Sequence, residues 1–120
     1  MGLFTKNTLT IDETVDVVTF IVAGSMYSYA TYGSTLSATL RKEMCDQRVE
    51  LRGKQASMMH KAKLSANAEQ VTRVFISDPV LSQQVVDAYG AGASDATKRA
   101  FLGNVVAPYI RKYLFQVGVL

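Results

Sequence analysis

The chain has 120 residues, a net charge of +3, one cysteine and one histidine. That length suits a single domain with a modest core. A lone cysteine excludes an internal disulfide and suits a reducing compartment, and a lone histidine excludes a Cys–His–His metal set. Apolar residues make up 48% of the chain and charged ones only 19%, more apolar surface than so small a monomer hides easily, so association is the simplest remedy.

At the start, Gly2 invites a myristoylation reading, but the motif wants Ser or Thr where Lys6 stands. The opening residues also lack the apolar core and cleavage site of a secretory signal. Thr10 and Glu13 have the spacing of a capping box. Asp12, Glu13 and Asp16 then fall in the first turns, where the helix dipole favours negative charge. A helix is therefore predicted from about position 11.

Residues 17–40 carry no charged side chain, and a membrane span needs roughly 20 predominantly apolar residues. Tyr27, Tyr29 and Tyr32 nevertheless occupy the middle of this run, whereas tyrosines favour the water interfaces of a bilayer. Val15, Val18, Val22, Met26, Tyr29, Gly33, Leu36, Leu40 and Met44 follow three- and four-residue steps, the pattern of one helical face. The expectation is one long helix reaching the low fifties, buried in protein, with breaks near Gly24 or Gly33 as the alternative. Gly24/Ser28 and Ala30/Ser34/Ala38 place small residues four apart, a surface on which another helix could approach. A second helix is predicted from about 54 to 76, with Gly53 as the point where the two join or part. Met44, Leu51 and Met58 give a weak heptad hint.

Between positions 41 and 73 there are eight basic and four acidic residues. A solvated helix face explains this mixture more economically than a nucleic-acid site, and no Tyr or Phe interleaves to stack bases. If the segment bound nucleic acid, Arg41, Arg48 and Arg52 would be its phosphate contacts. Otherwise these arginines are expected to be solvated or paired with acids of neighbouring chains.

Asp78 and Pro79 mark a boundary, as cap and first helical residue of a short helix over 79–89 with Leu81, Val85 and Ala88 inward. The Gly90-Ala91-Gly92 stretch lacks the context of a phosphate loop and reads as a connection. Ser94 or Asp95 caps a last helix over 95–117, with Leu102, Val106, Tyr109, Ile110 and Tyr113 as its apolar face and Pro108 as a kink. Beyond it, Tyr113, Leu114, Phe115, Val117, Val119 and Leu120 make an apolar end that needs a partner surface or the chain's own core.

The carboxylate pairs Asp12/Asp16 and Asp46/Glu50 sit at a cap and among charged neighbours, so catalysis is not read from them. Cys45 reads as a structural thiol, and no cofactor or metal is implied. The fold class is all-α: a long helical region over 11–76 and two or three shorter helices in one small domain, packed in an oligomer. The function expected is a non-enzymatic structural or assembly subunit of a multi-protein particle, such as a virus or phage virion, working through contacts with copies of itself or other chains. Gly24, Ser28, Ala30, Ser34, Ala38, Tyr113, Phe115, Val117 and Leu120 are the expected interaction residues. The rival readings are a single-pass or peripheral membrane protein with its span at about 15–40, and a small basic nucleic-acid-binding protein.

Overall fold

The computed structural model describes residues 8–120, so the Gly2 and Lys6 reading lies outside the described residues. Those residues form a compact all-helical globule, with no strand among them. The first helix, α1, runs Ile11–Tyr32 and starts where the capping box places it. The Glu13 amide donates to Thr10 Oγ1 at 3.2 Å, and the Thr10 amide donates to Glu13 Oε1 at 2.9 Å.

The helix expected to reach the low fifties instead stops at Tyr32. Gly33 takes a left-handed conformation (φ +79°) and its amide donates to the Tyr29 carbonyl, closing the end. That conformation costs a side-chain-bearing residue about 1–2 kcal/mol, which glycine avoids. Ser37 then caps α2, Ala38–Leu51, by accepting from the Leu40 amide at 3.2 Å. At the far end of α2, Gly53 is left-handed (φ +67°). Its amide donates to Glu50 and that of Lys54 to Val49, the paired bonds of a Schellman stop. The chain is thus not helical through Gly53, and α3 begins only at Met58, running Met58–Ser77. These breaks also remove the span proposed at 15–40. Among the described residues no helix is long and apolar enough to cross a membrane.

Asp78 caps α4, Pro79–Tyr89, accepting from the Val80 and Leu81 amides through one carboxylate oxygen, with Pro79 in the first turn. After a turn at 90–93, Ser94 caps α5, Asp95–Phe101. The helical path then widens into a π-turn over Leu102–Val106 and continues as α6, Ala107–Gln116. Pro108, the expected kink, lies just after this π-turn. It has no amide to donate, and the wider turn just before it, with the Ala107 amide bonded to the Leu102 carbonyl, absorbs the mismatch.

α1 packs against α2, α3, α4, the π-turn and α6, which makes it the centre of the molecule. Val17, Val18, Ile21, Val22 and Met26 are fully buried on it, opposite Leu64, Ala68, Val71 and Phe75 of α3. Phe75 meets Phe101 and Tyr109 edge-on at 6.2 and 5.2 Å between ring centres, and Tyr89 meets Phe101 in the same way. This aromatic cluster ties α3 and α4 to the last helices, an arrangement worth about 0.5–1.5 kcal/mol per pair beyond burial. Met44, Leu51 and Met58 share no seam, since Met58 lies beyond the loop and both it and Leu51 face solvent.

Gly33, in the turn after α1, and Gly103, inside the π-turn, make opposite predictions. Gly33→Ala should lower stability by about 1–2 kcal/mol, because φ is positive. Gly103→Ala, where an added Cβ meets nothing within 4 Å and φ is not positive, should be neutral or stabilising by up to about 1 kcal/mol. Urea denaturation of the two variants checks both signs.

Candidate functional site

The arginines considered as phosphate contacts are held by acids of the same chain. Arg48 grips Asp16 with two hydrogen bonds, Nε to Oδ2 at 2.9 Å and Nη2 to Oδ1 at 3.0 Å, while Arg52 Nε donates to the same Oδ2 at 3.0 Å. The Arg48 guanidinium also sits 4.8 Å from the Phe20 ring centre, a cation–π contact. Arg41 bridges the Leu36 carbonyl and Glu69, with bonds of 2.6 and 2.7 Å. The expectation that these cations would be solvated or would seek acids on neighbouring chains is corrected by this internal pairing. Lys54 reaches Glu13 at 3.4 Å and Arg111 pairs with Asp12, so all three acids of the first turns of α1 receive a cation from elsewhere in the fold.

One member of the second carboxylate pair is engaged in the same manner. Asp46 lies 2.9 Å from Lys61 Nζ. Burial opposes the Asp16 charge, but the hydrogen bonds from Arg48 and Arg52 outweigh it and hold its pKa below the ordinary 3.8. Cys45 is fully buried in the core cluster, and burial, aided by Asp46, pushes its thiol up to about 11. At neutral pH it is a protonated, inert thiol. His60 is held below its ordinary value by burial and by Lys63. Among the described residues no group of three or more His, Cys, Asp or Glu side chains could share a metal ion.

One surface groove, of about 500 Å³, lies between α2 and α3. Small side chains line it, Ala38 from α2 and Ala62, Ser65 and Ala66 from α3, with Met58 at the start of α3. Charged residues of both signs complete the lining: Arg41, Lys42 and Lys61 with Asp46 and Glu69. The geometry follows from α3's own pattern. Leu64, Ala68, Val71 and Phe75 face the core, which turns the small residues at 62, 65 and 66 outward beside α2. No protein family, curated protein or solved structure matches this chain.

The expected small-residue stripe is divided by the break at Gly33. Gly24 stays on α1, where an added Cβ would stand 2.5 Å from Met44 Cε and 3.3 Å from Leu36 Cδ1, so its close approach is to α2 of its own chain. Ser28 donates to the Ser34 carbonyl, closing the turn locally, and Ala30 packs against the core. Only Ala38 reaches the groove. At the other end of the chain, Leu114 is buried, Tyr113 stacks on Tyr109, and Val119 and Leu120 pack on the core, their amides bonded to the Leu114 carbonyl. Phe115 and Val117 point outward, about half exposed. The residues missed in the sequence, Ala62, Ser65 and Ala66, carried a signal in their three- and four-residue spacing, offset from the core positions of α3.

The Asp16 clasp predicts an acid sensitivity with a definite sign. A carboxylate whose pKa is depressed in the folded state stabilises the fold above the unfolded value, and that contribution is lost as pH falls through the folded value. Thermal melts should therefore fall progressively below about pH 4. Asp16→Asn should lose about 1–2 kcal/mol at pH 7, from two partly exposed pairs, and show a shallower acid slope. An unchanged slope would place the acid sensitivity elsewhere.

Proposed function

We propose that this chain is a non-enzymatic structural subunit that builds a multi-protein particle through helix–helix contacts, with copies of itself and with further chains. The observation that carries the reading is a set of large apolar side chains left outside a well-filled core. Leu51, Met58 and Met59 are 73%, 72% and 79% exposed, with Met58 on the wall of the α2–α3 groove. Covering a side chain of this kind contributes about 1.5–3 kcal/mol.

Two observations weigh against the rival readings. The apolar run is divided between α1 and α2 by the turn after Gly33. Arg41, Arg48 and Arg52 already hold carboxylates, and a phosphate would have to compete with Glu69 and Asp16 for them.

Light scattering of the purified chain, without detergent or nucleic acid, tests the proposal. The expected result is a defined oligomer whose mass is a multiple of 13.1 kDa. A chain that stays monomeric up to about 1 mM, where association is too weak to hold a particle together, overturns it. So does solubility only in detergent, or a mass that depends on co-purifying DNA or RNA.

A further inference from the structure

We propose that α2 is a lid, held shut by ion pairs, that lifts from the body as one unit while the other helices stay folded. The inference stands apart from the structural-subunit reading.

Anchorage is the first ground. Of the 14 residues of α2 only Cys45 and Val49 are buried, whereas the 11 residues of α4 bury Val85, Ala88 and Tyr89. α2 packs on α1 and α3 alone. The other helices close on one another without it, α1 against α3, α4 and α6, and α3 against α4 and α6. An element with few buried apolar contacts, whose removal leaves the rest packed, opens at a lower free energy than the whole molecule.

Charge is the second ground. Of the ion pairs that join different elements among the described residues, all but Arg111–Asp12 tie α2 or the loop after it to the body. They run through Arg41, Asp46, Arg48, Arg52 and Lys54. Such pairs, partly open to water, are weak singly and weaken further with salt, as the screening length falls from about 10 Å at 0.1 M to about 3 Å at 1 M.

The connections supply the pivots. Segments 33–37 and 52–57 are not helical, and each holds a glycine of positive φ with open space where a side chain would stand. Lifting uncovers the flank of α1 at Gly24, on which Met44 now sits, and brings the buried Cys45 thiol into solvent.

The test is native-state hydrogen exchange read by NMR on the full chain, with labelling of Cys45 by iodoacetamide, which is uncharged, at the same pH. The amides of Cys45 and Val49 should exchange together, at least 10-fold faster than those of Val18, Ile21, Leu64 and Val71, and the thiol should be labelled through the same opening. Asp16→Asn, which removes two of the tethers, should speed the α2 amides and the labelling about 10-fold, and 1 M NaCl should speed them in the wild type. Should Asp16→Asn not fold, Glu69→Gln, which removes the Arg41 tether, is read in its place. Val85→Ala weakens the body at a buried residue of α4, a helix that does not touch α2. It should speed the α1 and α3 amides about 10-fold or more and leave the α2 amides and Cys45 labelling unchanged. Exchange of α2 at the rate of α1 and α3, or acceleration of all three together by Val85→Ala, overturns the lid. Exchange of α2 that ignores both the tether variant and salt overturns the claim that ion pairs hold it.

Discussion

Val17, Val18, Ile21, Val22 and Met26 lie along α1 with no exposed surface, and α2, α3, α4 and α6 all pack against that helix. A small helical domain has little interior to share, so one strongly apolar helix at its centre lets the others be amphipathic. The buried hydroxyls around it cost little. Thr14 and Thr72 donate back to the carbonyls four residues earlier, at 2.8 Å in each case, and leave their own donors satisfied. Gly24 belongs to the same packing, since its missing side chain is the space that Met44 and Leu36 of the next segment occupy.

The acids at the start of α1 hold the outer elements in place. A carboxylate near a helix N-terminus is already favoured by the dipole, and here each also draws a distant cation: Asp12 from α6, Asp16 from α2, Glu13 from the loop after α2. Individually such pairs contribute little. Of these, the Asp16 pair acts on α2, whose buried Cys45 and Val49 face the core. Were Arg41 and Arg48 free, the basic excess over 41–73 would be an open cationic surface. Paired as they are, it becomes a surface of mixed sign with an apolar centre.

Burial is less complete at the aromatic end. The Tyr89 hydroxyl is buried without a hydrogen-bond partner, and burial pushes its pKa up to about 12. An unpaired buried hydroxyl costs about 1–3 kcal/mol, tolerated here because the ring bridges α4 to Phe101. The apolar surplus of the composition has therefore been divided between a core organised by α1 and an outer set in which Leu51, Met58 and Met59 are left uncovered.

Three helix starts were legible from the residues alone, while those of α2 and α3 were not. Thr10 with Glu13, Asp78 with Pro79, and Ser94 are local signals whose hydrogen bonds span three residues or fewer, and each begins a helix where its chemistry places it. The inward faces of α1 and α4 were legible too, because burial repeats with the helical period. The ends of α1 and α2 were not. The apolar period runs on past Gly33 because α2 also turns a face inward, and only packing decides that Gly33 and Gly53 adopt left-handed backbone. The pairing of Asp16 with Arg48 and Arg52, and of Asp12 with Arg111, joins residues 32, 36 and 99 positions apart, a separation at which sequence carries no pairing information. The groove likewise belongs to neither helix alone. The sequence supplied small side chains on two segments, and the tertiary structure set them face to face.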